Sequence, residues 1–108
     1  MHRYIKEMRR EVFDKYNCMT AGELGFTKDE ESVSKYVAKG RHELNMLFTV
    51  DIVDMDFGSE TKYGRDDFRL EKLRNITKTW QEAMQKFDRW NTIYIDNHDL
   101  GRSLSRYT

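Results

Sequence analysis

The apolar positions of this chain recur with two periods, and the periods alternate. Over residues 2–16, Tyr4 or Ile5, Met8, Val12 and Tyr16 return every three or four residues with charges between them, which predicts an amphipathic helix. "CMTAGELGF" follows, short, apolar and closed by glycines, and reads as a strand at about 17–22 with a loop after it. "KDEESVSKYVAKGRHEL" places Val33, Tyr36, Val37 and Leu44 on one face of a short surface helix that stops near Gly40. "LNMLFTVDIVDM" is rich in β-branched and aromatic residues and predicts a strand at about 45–52. Two glycines and many polar groups make "DMDFGSETKYGRDDF" a loop long enough for a binding or covering role. Leu73, Ile76, Trp80, Ala83 or Met84, and Phe87 then mark the clearest helix, at about 69–87. "WNTIYIDN" is the third predicted strand.

Helix and strand thus alternate three times, which argues for parallel strands joined by helical crossovers in an α/β fold. Three parallel strands leave both sheet edges open, so the expected context is a larger sheet or barrel. In such folds ligands gather at the carboxyl ends of the strands. Acids collect there: Glu23 after the first strand, Asp51 or Asp54 after the second, and Asp96 to Asp99 after the third. Paired carboxyl groups at one sheet end are the equipment of glycoside hydrolysis, one giving a proton to the leaving oxygen, another facing the developing oxocarbenium ion.

The residues at those strand ends carry a resemblance. "MTAGEL" resembles the fifth-strand motif of the α-amylase superfamily (glycoside hydrolase family thirteen), "IDNHDLGRS" its seventh-strand motif, and "HELNMLFTVDIVD" its sixth strand in the maltase, α-glucosidase and oligo-1,6-glucosidase group. "MHRYIKEMRREVFDKY" is similar to the helix before the fifth strand, so the resemblance spans essentially the whole chain. It implies a partial (β/α)8 TIM barrel of about three parallel strands, with residues 1–108 a fragment of the catalytic barrel and no complete domain. It implies Glu23 as general acid/base and Asp99 as the carboxylate that binds sugar hydroxyls and stabilises the transition state. His98 and Arg102 would contact substrate hydroxyls, the arginine through its planar fork. The substrate implied is an α-glucoside or oligosaccharide of maltose, isomaltose or sucrose type, cleaved with retention. Leu100 and Gly101 stand where many members carry Gln-Pro or Gln-Ala. The family's nucleophilic aspartate belongs to a fourth strand that would lie upstream of Met1, so the chain alone is expected to be inactive.

Composition narrows the alternatives. Of 108 residues, 35% are charged and the charges cancel, which supplies no basic stripe for nucleic acid. No apolar run approaches a membrane span, and the charged amino terminus is no signal peptide, so the expectation is a cytoplasmic chain with no membrane partner. Cys18 is the lone cysteine and, among apolar neighbours, is expected to be buried. No cluster has metal spacing, and no cofactor is expected. Asp51 and Asp54 read as structural, Trp80 and Phe87 as core, Trp90 as packing, His42 as solvated and His2 as isolated. Two other classes stay open: a non-catalytic amylase-like interaction protein, and a small α/β binding module.

Overall fold

A computed structural model describes residues 1–25, 27–59 and 63–107. Four helices and two strands are present among them: α1 (His2–Glu11), β1 (Ala21–Glu23), α2 (Glu30–Val37), β2 (Met46–Phe48), α3 (Leu70–Lys86) and α4 (Ser103–Arg106). The two strands pair in parallel with Ala21 opposite Met46, Gly22 opposite Leu47 and Glu23 opposite Phe48. Parallel strands require a crossover, and α2 supplies it. The helix starts where the sequence supplies a cap: the Asp29 side chain accepts the Ser32 amide at 2.8 Å.

The core is the meeting of three apolar stripes. Val33 and Val37 of α2, Leu47 of β2, and Trp80, Ala83 and Met84 of α3 form one buried cluster, with Leu24, Tyr36, Leu44, Ile76 and Phe87 packed around it. The four-residue spacing from Val33 to Val37 and from Trp80 to Met84 is what lets each helix turn one face to β2. Trp80 cannot leave its ring N–H unpaired in such a core. It donates to Asp51 Oδ2 at 2.8 Å, which gives that carboxylate the structural role expected of it. Gly22 permits close approach of the strands to α2's exit: a Cβ there would sit 2.6 Å from Leu44 Cδ1 and 2.7 Å from Leu47 Cδ2.

Several expectations fail. Residues 92–95 form no ladder, so the sheet has two strands rather than three among the described residues. The reason lies in Thr92. Its buried hydroxyl donates to the Leu47 carbonyl at 2.6 Å and accepts the Thr49 amide at 3.3 Å, so a side chain occupies backbone groups that a neighbouring strand would use. The α/β character stands, with no closed barrel.

Cys18 is exposed, its Sγ against the Phe13 carbonyl, because the chain leaves α1 through a short 3₁₀ turn (Phe13–Lys15). Trp90 is 69% exposed rather than packed. Of the amino-terminal apolar stripe only Ile5 is buried, while Tyr4, Met8, Val12 and Tyr16 face outward. His2 is not isolated: its Nδ1 lies 2.6 Å from Glu43 Oε2, and its ring centre lies 4.2 Å from that of Tyr36 with the planes tilted by 35°. Glu43 is the buried anchor of this end, with Arg41 Nη2 at 2.9 Å and Lys6 Nζ at 3.9 Å.

Candidate functional site

Glu23 closes β1 at its carboxyl end, exposed, opposite Phe48 of β2. The backbone alternation that turns Gly22 toward the leucines turns Glu23 away from them. The chain beyond β2 then coils through residues 49–57 at that same strand end. There the Phe48 and Tyr94 rings meet edge-on at 5.6 Å. Burial pushes the Tyr94 phenol above its ordinary pKa, and the negative charges of Glu23 and Asp54 push it the same way.

The segment that follows Tyr94 is folded by its own side chains. Asp96 Oδ2 accepts the Ser103 amide at 3.0 Å, and Oδ1 lies 3.2 Å from Arg102 Nη1. The Ser103 hydrogen bond is the chief cause holding the Asp96 carboxyl below the usual range, with the Arg102 charge adding to it. Asn97 Oδ1 accepts the Asp99 amide at 3.0 Å, the local turn chemistry of an asparagine. His98 Nε2 lies 3.3 Å from Asp99 Oδ2, with both side chains well exposed. Arg102 is therefore engaged with Asp96 rather than pointing free.

Asp99, Leu100 and Gly101 form one wall of a cavity of about 290 Å³. Asp56, Phe57 and Arg65 from the loop after β2 form the other, and Arg106 contributes to its lining. The loop is pinched by a bridge between Phe57 and Arg65, with the Gly58 amide donating to the Gly64 carbonyl at 2.9 Å; its tip, 60–62, lies outside the described residues. A larger open groove of about 550 Å³ runs between this strand end and α3, lined by Lys28, Asp51, Asp54 and Arg69. It includes none of the four candidate residues, and the Lys28–Asp54 pair at 2.7 Å occupies part of it. No group of three or more metal-ligating acids, histidines or cysteines occurs among the described residues.

Sequence reasoning passed over two residues of this region. Arg106 and Asp56 form a buried bidentate pair, Nε to Oδ2 at 3.1 Å and Nη2 to Oδ1 closer still. The signal was faint: an arginine among "SLSRYT" and one aspartate among many.

A parallel strand–helix–strand unit with acids beyond its strand ends is consistent with a piece of a TIM barrel, the enzyme fold that gathers its chemistry there. The model of the α-amylase catalytic domain matches residues 1–108. The chain belongs to the α-amylase family of glycoside hydrolases. It is 40% identical over 108 residues to the oligo-1,6-glucosidase of Bacillus sp. (strain F5), covering 97% of this chain and 21% of that protein. It is 34% identical over 107 residues to the α-glucosidase of Candida albicans, covering 99% of this chain and 18% of that one. The crystal structure of trehalose-6-phosphate hydrolase from Bacillus licheniformis superposes with a TM-score of 0.87 at 36% identity, over 98% of this chain and 19% of that chain. The chain spans about a fifth of the length of the curated relatives it matches.

Proposed function

We propose that residues 1–108 form a segment of the (β/α)8 catalytic barrel of a retaining α-glucosidase, acting on α-linked glucosides of maltose, isomaltose or sucrose type. One observation carries this reading: similarity to glucosidases runs the whole length of the chain, and within it Glu23 stands at a strand's carboxyl end. In this reading Glu23 protonates the glycosidic oxygen as the bond breaks and then, as carboxylate, takes a proton from the incoming water. Asp99 accepts hydrogen bonds from sugar hydroxyls and faces the positive charge that develops on the ring. His98 orients a hydroxyl from beside it, and Arg102 serves the same rim once its contact with Asp96 is exchanged for sugar oxygens. A retaining pathway also needs a carboxylate nucleophile, which the family pattern puts on a fourth barrel strand; with no such strand among the described residues, the chain by itself should turn nothing over.

The test replaces the matched segment of the Bacillus sp. (strain F5) oligo-1,6-glucosidase with residues 1–108 and follows p-nitrophenol release from p-nitrophenyl α-glucoside. The chimera should be active, Glu23→Gln should abolish the activity, and the isolated chain should show none. A well-folded chimera without turnover, or one indifferent to Glu23→Gln, would overturn the assignment.

A further inference from the structure

The turn that carries Asp99 is closed by its own hydrogen bonds, so where its carboxylate stands depends on how the whole unit is attached to the sheet. Asp96 closes residues 96–103 into a loop through the Ser103 amide, and α4 follows without a break. From the end of α4, Arg106 reaches back to the coil leaving β2. Its guanidinium forks the Asp56 carboxylate and also donates to the Val53 carbonyl at 2.5 Å. Its Cζ lies over the Phe57 ring, 5.5 Å from the centre, and over the Tyr107 ring, 5.1 Å from the centre. The side chains of Arg106 and Asp56 are only 10% and 4% exposed, so neither charge can turn to solvent if the other is lost. Arg65, across the pinched loop, donates to the Ser105 carbonyl at 3.0 Å and to that of Arg106, a second tie on the same segment.

We infer that Asp56 and Arg106 are positioning residues: their buried fork sets the Asp99 turn at a fixed height over the end of β2 and thereby shapes the cavity between them. Asp56 and Arg106 both line that cavity, opposite or beside Asp99, so a change in the fork changes the wall that Asp99 belongs to. Lysine retains the charge of Arg106 but is a single ammonium, unable to engage both carboxylate oxygens in one plane. The importance of the fork for turnover rests on the glucosidase reading; its mechanical role does not.

The experiment measures backbone 15N order parameters on the 108-residue chain and its Arg106→Lys and Asp56→Asn variants. In the parent, residues 97–103 should be as ordered as α3, with values around 0.85. In either variant they should drop below about 0.6 while Ala83 and Met84 stay unchanged. Should Asp56→Asn not fold, Arg106→Lys probes the same contact with the charge kept, and Arg65→Gln, at an exposed position, should loosen 97–103 partially. Unchanged order in 97–103, or a loss that extends equally through α3, would overturn the inference. In the active chimera, Arg106→Lys should lower kcat at least tenfold with KM within twofold; kcat unchanged would also overturn it. A chimera inactive from the outset removes the glucosidase reading instead, and the order parameters decide the positioning role without it.

Discussion

Replacing Thr92 with valine exchanges a hydroxyl for a methyl at nearly constant volume, in a site only 3% exposed. Two backbone groups then lose their partner: the Leu47 carbonyl, 2.6 Å from Oγ1, and the Thr49 amide, 3.3 Å from it. A buried backbone group without a partner costs about 1–3 kcal/mol, and the valine recovers part of this by removing a hydroxyl that was itself buried. The net loss expected is about 3 kcal/mol. At roughly 4 °C per kcal/mol for a chain of this size, the thermal midpoint should fall by roughly 12 °C. Thr92→Ser keeps the oxygen and loses one buried methyl, at about 1 kcal/mol. Far-UV circular dichroism melts, paired with urea titrations to confirm an unchanged m-value, measure both variants. The diagnostic is the order of the two: serine should be the milder change. If valine matches the parent or exceeds it, the segment 92–95 must be attached by an ordinary strand ladder, where a β-branched apolar residue is welcome, and the account of why the third strand is absent collapses.

The Asp96 carboxyl is held below its ordinary range by the Ser103 amide first and Arg102 after it, so the closure it provides is fully present above the ordinary carboxylate pKa and is lost as pH falls through the depressed folded value; carboxyl 13C titration with the Ser103 amide shift as reporter should show both events at one midpoint. Glu23→Gln should lower the Tyr94 pKa without returning it to the ordinary phenol value, because burial is the larger cause; an unmoved Tyr94 in a 13C titration would separate the two residues electrostatically. Gly22→Ala should cost about 1 kcal/mol through the clash with Leu44 Cδ1 and Leu47 Cδ2, seen as a lower urea midpoint, and a raised midpoint would mean that both leucines swing clear freely.

How much of this was legible depended on what each signal encodes. α3 was read almost to the residue, because a stripe through Ile76, Trp80, Ala83 and Met84 has one solution once a core exists. The two strands were legible as strands but too long by several residues at each, since apolar character continues through Ile52 and Val53 while the ladder ends at Phe48. "NTIYI" carries every mark of a strand, yet pairing belongs to two chains' backbones, and periodicity in one of them cannot report that a threonine hydroxyl has taken the partner's groups. Cys18, Trp90 and the outward stripe of α1 failed together, for one reason: apolar composition says that a residue can be buried, while burial needs a neighbour to cover it. The candidate residues Glu23, His98, Asp99 and Arg102 came from the resemblance of "MTAGEL" and "IDNHDLGRS" to family motifs, because turn-forming acids and amides carry no role in their spacing alone. The Asp56–Arg106 fork joins positions fifty apart and leaves no local trace.

The anchoring of α1 has a consequence in temperature. This helix buries one apolar side chain, Ile5, and is otherwise moored by polar contacts: His2, Lys6 and Arg9 reach Glu43, Asn45 or Asp14, while Arg41 neutralises Glu43 from the other side. α3 is moored by Trp80, Ala83 and Met84 against α2 and β2. Apolar attachment weakens on cooling, because its driving force is entropic near room temperature. The desolvation penalty of a buried ion pair falls on heating, since the hydration of charged groups becomes less favourable. The two helices are thus fastened by forces of opposite thermal slope: chilling the chain loosens α3 relative to α1, and warming it favours the ionic mooring at the amino terminus while conformational entropy works against both.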